Sequence, residues 1–310
     1  MHASKMNKRG VIRRVIVGIF ILVVAIGAVS WLLGSQLIEP ANHSVTLPVG
    51  FEARRVSIPR AGYTVAGWWV DEGQGSPVVL LVHGIRADRL SMVTRAQLLT
   101  QHGFSVLLID LQAHGETPGT AITLGYRESA DVATARDWIR RTAPGRRMGV
   151  IGVSLGGASV LLAPQPVGFD AVVLEAVYPR VGLAVENRIR IRLGPLAPVL
   201  TPLLLLQLQP RLHVSESELE PIRSIGQLGA PVLVVAGSRD EHTTLLESRE
   251  LFAAAKEPKS MWVVEGARHQ DFLAYDRAGY ETNVLGFLTH YLNPVALAED
   301  RERPPAEMTP

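Results

Sequence analysis

The chain contains no cysteine, which excludes disulfides and thiolate metal sites and leaves an apolar core to hold the fold. Acidic residues are missing from everything before Glu39, and charge of either sign is missing from Val15 to Ile38. Also missing are a P-loop, an H-E-x-x-H pair, a dinucleotide-binding G-x-G-x-x-G and any internal repeat. Phosphate-cradling, zincin and nicotinamide chemistry therefore have no support, and neither cofactor nor metal is expected. Basic charge is concentrated at the start. Lys5, Lys8, Arg9, Arg13 and Arg14 outweigh the formal net charge of +2 carried by all 310 residues. The remainder of the chain is mildly acidic and offers no basic face to nucleic acid.

The uncharged span, with its apolar heart Val15–Leu33, has the roughly 20-residue length that a bilayer requires, so 15–38 reads as a transmembrane helix. Residues 1–14 form a basic segment before it, against only Glu39 just after it. By the positive-inside rule the N-terminus is cytoplasmic and the rest of the chain lies outside, with Trp31 near the far interface. A cleaved signal peptide is the alternative, since Ala28, Ser30 and Gly34 supply small residues. The apolar run exceeds a typical signal core, which favours a retained anchor. The expectation is a single-pass cell-membrane protein with an extracytoplasmic domain.

An apolar content of 47% is ample for a large core. Residues 39–50 read as a linker, 51–293 as one domain, and 294–310, rich in proline and charge, as disordered. Arg54–Pro59 and Tyr63–Val70 flank Arg60-Ala61-Gly62 as a hairpin. Continuous apolar runs near 78–82, 104–109, 148–153, 171–175, 231–236 and 261–264 have the character of parallel strands covered on both faces. Helical periodicity falls between them near 91–102, 127–141, 155–163, 243–256 and 278–291. The stretch 178–228 interrupts the alternation with Arg188-Ile189-Arg190-Ile191-Arg192, a Leu-rich run and an acidic piece.

Gly152-Val153-Ser154-Leu155-Gly156 follows the strand ending at Val153 and opens the small-residue helix Gly157-Ala158-Ser159. This is the strand–turn–helix setting of a nucleophile elbow, where neighbours without bulk let the helix start close to the strand. Two later strands run into an acid and a histidine, in Gly237-Ser238-Arg239-Asp240 and Glu265-Gly266-Ala267-Arg268-His269. Glu241 and the strand-terminal Glu175 remain alternative acids, and His242 an alternative histidine. Val78–Val82 ends in His83-Gly84, and Asp110-Leu111-Gln112-Ala113-His114-Gly115 follows another strand. His83 and His114 read as structural residues bonding loop backbone.

With these motifs in the order Ser, Asp, His, roughly residues 50 to 292 resemble the α/β-hydrolase superfamily, and more narrowly its membrane-anchored bacterial members. The resemblance implies an α/β-hydrolase fold: a mostly parallel central sheet with helices on both faces and a lid insertion at about 178–228. It also implies a Ser154–His269–Asp240 triad with an oxyanion hole built from the N–H groups of Leu155 and Ile85. The implied function is a serine hydrolase that forms an acyl-enzyme from an ester, thioester or amide, with a small-molecule or lipid acyl substrate. A peptidase or acyltransferase on the same triad, or a non-catalytic scaffold, is the alternative. The Leu-rich run around Leu203-Leu204-Leu205-Leu206 has two readings, an acyl-pocket cover or an element dipping into the membrane.

Overall fold

The computed structural model describes residues 8–293. Residues 1–7, which include Lys5 of the basic segment, and the tail 294–310 lie outside the described residues. Eight strands among these residues form one sheet: β1 (Arg54–Arg60), β2 (Tyr63–Val70), β3 (Val78–Val82), β4 (Ser105–Ile109), β5 (Met148–Val153), β6 (Ala171–Glu175), β7 (Val232–Gly237) and β8 (Lys259–Val264). Their order across the sheet is β8-β7-β6-β5-β3-β4-β2-β1. The six strands from β3 to β8 are mutually parallel, and β2 runs antiparallel to both β1 and β4. This is the α/β-hydrolase architecture.

The strands alternate their side chains between two cores, as a pleat requires. Val78, Leu80 and Val82 of β3 join one buried cluster, while Val79 and Leu81 join the other. Both faces are covered, which is why the sequence shows unbroken apolar runs instead of alternation. Helices α3 (Glu128–Thr142) and α4 (Leu155–Leu162) pack on the first face, and α2 (Val93–Gln101) on the second. Helix α8 (Leu245–Ala254), between β7 and β8, begins with a capping box in which Thr244 and Glu247 satisfy each other's backbone N–H.

Near the C-terminus the expected helix over 278–291 is interrupted. A π-helical turn, Glu281–Leu285, precedes α9 (Gly286–Leu292). The side chains of Thr282 and Asn283 bond the carbonyls of Ala278 and Gly279, diverting acceptors from the regular ladder.

The interruption between β6 and β7 is a helical cap: α5 (Val181–Leu193), α6 (Ala197–Leu205) and α7 (Leu208–Leu212), with shorter turns after them. The N-terminal helix α1 (Lys8–Ile38) is apolar and almost wholly exposed along its length. Its last turns instead dock on the cap. Gln207 Nε2 donates to Ser30 Oγ at 2.8 Å. Arg211 reaches Ser35 Oγ at 2.9 Å, with its guanidinium 3.7 Å from the Trp31 ring centroid. Beyond α1, Ala41–Asn42 pairs with His114–Gly115 in a two-residue parallel bridge.

Candidate active site

Ser154 occupies the turn between β5 and α4 with φ 49° and ψ −110°. That is a costly backbone for a residue with a side chain, and it holds the side chain proud of the sheet edge. The flanking glycines are needed for space. A Cβ on Gly156 would lie 2.4 Å from the Val82 carbonyl oxygen and 2.6 Å from that of His83. One on Gly152 would lie 2.6 Å from Gly157 Cα. No larger residue lets α4 begin this close to β3 and β5.

Asp240 and His269 leave the ends of β7 and β8 and meet there. Asp240 Oδ2 is 2.7 Å from His269 Nδ1. Its other oxygen accepts the backbone N–H groups of His242 and Thr243 at 2.8 and 2.9 Å. The carboxylate is thereby oriented by its own turn, with one oxygen left for the imidazole. The rival acids lie elsewhere. Glu241 is exposed and faces Arg268 at 4.0 Å. Glu175 is buried and taken up by Arg95 and by the Tyr280 hydroxyl at 2.6 Å. His242 packs beside His269 with ring centroids 5.0 Å apart. Burial first, then the neighbouring His269 and Arg188, hold its pKa below the usual histidine value.

Ser154 and His269 line one cavity of about 360 Å³ together with Gly84, Ile85, Arg188 and His242. A second, narrower and mostly apolar slot of about 40 Å³ also touches Ser154. Its walls are Ile85, Leu155, Val181, Ala184 and Val185, with Leu37 of α1. Leu155 opens α4, so its N–H is one of the first-turn donors that no helical carbonyl reaches. Ile85 borders both spaces. Ser154, Asp240, His269, Leu155 and Ile85 are thus gathered at one place.

Leu204 and Leu205 are not in either wall. They line an adjoining pocket between α1 and the cap. Arg86, next to Ile85, adopts φ 60° and donates to the Gln36 carbonyl at the end of α1. A guanidinium there also offsets the negative end of the helix dipole.

The two loop histidines are structural. Buried His83 accepts the Leu111 N–H at Nε2 and contacts the Gly84 carbonyl through Nδ1 at 2.7 Å. It is therefore neutral, with the proton on Nδ1. Burial lowers its pKa to about 4, and burial together with His83 does the same for His114. Asp110 of the same motif pairs with buried Arg89. Among the described residues no group of three or more His, Asp or Glu has a metal-binding arrangement.

The sequence profile described as serine aminopeptidase, S33 (Hydrolase_4) matches residues 73–223, a span that holds Ser154 but neither Asp240 nor His269. The uncharacterized protein Rv2307c of Mycobacterium tuberculosis is 33% identical over 237 residues, covering 75% of this chain and 76% of that protein. The uncharacterized protein YqkD of Bacillus subtilis is 23% identical over 236 residues, covering 74% and 77%. Among solved structures, the Pyrococcus furiosus esterase Pf2001 superposes with a TM-score of 0.69 at 20% identity, over 83% of this chain and 99% of the esterase. The Pyrococcus horikoshii acylaminoacyl peptidase gives 0.60 at 15% identity, over 79% of this chain and 42% of the peptidase. At these identities the two structures speak to the fold.

Proposed function

As this chain belongs to the α/β-hydrolase family, in its Hydrolase_4, S33-like branch, we propose that it is a membrane-anchored serine hydrolase acting on acyl esters, thioesters or amides. One observation carries this reading: an Asp240–His269 pair at 2.7 Å on the same cavity as a Ser154 held in a strained elbow. Ser154 Oγ attacks the acyl carbon while His269 takes its proton and passes it to the leaving group. Asp240 keeps the proton-bearing Nδ1 toward itself and leaves Nε2 for the serine. The N–H groups of Leu155 and Ile85 stabilise the oxyanion, a contribution of about 3 kcal/mol for each donor. Water then repeats the cycle on the acyl-enzyme.

The two spaces divide the substrate. His269 lines the wide cavity and not the slot. A leaving group that receives its proton from His269 therefore lies in the wide cavity, and the acyl group enters the apolar slot. Anchoring is supported by the docked end of α1, whose contacts with Gln207, Arg211 and Arg86 a signal-peptide cleavage near Ser30 would remove or leave hanging. Residues 39–50 then join the anchor to a single catalytic domain, 51–293, with its lid at about 178–228.

Aminopeptidase action is the second reading, favoured by the description of the matching family. A free α-amino group needs a carboxylate near Ser154, yet Asp271 in the cavity wall is paired with Arg95 at 3.0 Å. The test is labelling of the full chain with a fluorophosphonate, which should modify Ser154 and vanish in Ser154→Ala while the thermal midpoint moves by no more than a few degrees. Labelling that survives the substitution would sink the assignment.

A further inference from the structure

The cap helix α5 brings Arg188 to the boundary between the two spaces, where it lines both the wide cavity and the apolar slot beside Ser154. Its surroundings differ from those of the arginines nearby. Arg190 is paired with Glu186, and Arg180 with Glu250. Arg95, in the wall of the same cavity, is taken by Glu175 and Asp271. Arg188 forms no ion pair among the described residues, and its hydrogen bond goes to the Ala184 carbonyl one turn back on its own helix, at 3.1 Å. Asp240 is the negative group in its neighbourhood, but both oxygens of that carboxylate are engaged by His269, His242 and Thr243. The guanidinium is therefore half-buried in the cavity wall with no counter-ion bonded to it and with donors left over for an anion. Burial accordingly lowers its pKa from the ordinary arginine value. His242 adds a second unmet polar group, since its Nδ1 is buried and without a partner.

Resting on the serine-hydrolase reading above, we propose that Arg188 is the receptor for an anionic group on the substrate's leaving alcohol, so that the natural substrates are acyl esters of a phosphate- or carboxylate-bearing alcohol. The planar fork of a guanidinium matches either anion with two parallel hydrogen bonds. The placement also fits the division of the substrate. The leaving group lies in the wide cavity with His269, and Arg188 borders that cavity at the point where the slot begins. In the reaction the Ser154 Oγ–acyl bond forms as the bond to the leaving oxygen breaks. That oxygen receives the serine proton through His269, so the anion carries its charge unchanged from substrate to product.

The test uses the purified full chain in detergent and matched substrates: 1-butyrylglycerol and 1-butyrylglycerol 3-phosphate in solution, and their palmitoyl counterparts in phosphatidylcholine vesicles. The native chain should prefer the phosphate-bearing ester by about tenfold or more in kcat/KM, the scale set by hydrogen bonds to charged groups. In Arg188→Gln that ratio should fall to near one, chiefly through KM, and Arg188→Lys should restore part of it. Inorganic phosphate should slow fluorophosphonate labelling of the native chain and not of Arg188→Gln. A preference confined to vesicles assigns the anion to a lipid headgroup, and one confined to solution assigns it to a soluble phosphoester. Either result supports the receptor. If labelling of Ser154 itself fails, the hydrolase reading falls and takes this proposal with it. If Ser154 labels but the native chain shows no preference for the anionic esters, or Arg188→Gln keeps the preference, the Arg188 assignment alone is overturned.

Discussion

Leu37, in the last turn of the N-terminal apolar helix, lines the same narrow slot as Ser154, more than a hundred residues later in the chain. The helix that the sequence marks as a membrane span is therefore also a wall of the candidate active site, and its end is held by the cap and by Arg86 of the loop after β3.

The proposed triad should behave as one unit. Alanine should lower kcat by about six orders of magnitude at His269 and by about four to five at Asp240, with the double variant little worse than the more damaged single one. Asp240→Asn should fall by about 10⁴, because the His269 tautomer is then wrong. Losses that simply multiply in the double variant would show that the two residues act separately.

Acyl selectivity should reside in α5 and α1 and not in the Leu-rich run. Each added methylene that enters the slot is worth about 0.8 kcal/mol, a severalfold rise in kcat/KM until the space is full. Ala184→Leu, which fills the slot, should cut the butyrate-to-acetate ratio of p-nitrophenyl esters by about tenfold. Leu204→Ser, in the adjoining pocket, should move that ratio less. The reverse ranking would place the acyl group under α6.

The membrane topology is open to a biochemical check. Alkaline carbonate should leave the protein in the membrane pellet, and protease added to spheroplasts should digest the domain beyond Ile38. A soluble product beginning near Ser30 would establish the signal-peptide alternative.

The two buried loop histidines should give stability an acid-sensitive component, opposed by Asp110 and Asp131, whose carboxyls burial raises to about 6 and about 7. His83 and His114 have pKa values of about 4 in the folded protein, against about 6.5 unfolded. Between those values each takes up a proton only on unfolding, so the contribution of each histidine is fully present above about pH 6.5 and is lost as the pH falls toward 4. At its steepest each histidine contributes about 1.4 kcal/mol per pH unit. Urea unfolding at pH 7.5, 5.5 and 4.5 measures the slope. His83→Asn, which keeps an acceptor for the Leu111 N–H, should raise stability at pH 4.5 relative to pH 7.5 compared with the native chain; an unchanged difference would mean that His83 does not carry the acid sensitivity.

The sheet and the elbow were legible because their signals are local. Parallel strands buried on two faces must be apolar at every position, and the approach of α4 to β3 and β5 requires glycine at 152 and 156. The placement of Asp240 and His269 was legible because each follows the end of a parallel strand, the buried β7 and the edge strand β8. Arg188 was not. Within Arg188-Ile189-Arg190-Ile191-Arg192 nothing local distinguishes the guanidinium that faces the cavity from the one that pairs with Glu186 at the surface. That distinction is made by the docking of α5 over the sheet. Nor could the run Leu203–Leu206 announce that Leu204 and Leu205 face α1, since the contact joins segments far apart in sequence. The regular helix expected over 278–291 gave way to a π turn through side-chain bonds to backbone, which hydrophobic periodicity does not register.

The docking of α1 also sets a height. Only one helical turn separates Leu33, where the apolar run ends, from Leu37 at the slot, which at 1.5 Å per residue is about 6 Å. On the proposed topology the slot therefore stands at the level of the lipid headgroups, too low for the domain to sample the bulk solution freely. An amphiphile already in the outer surface of the bilayer reaches Ser154 by lateral diffusion in two dimensions, while a solute has to find it by collision from three. The quantity that governs turnover is then the surface density of substrate in the membrane, and diluting the membrane with inert lipid should slow the enzyme even when the total substrate in the tube is unchanged.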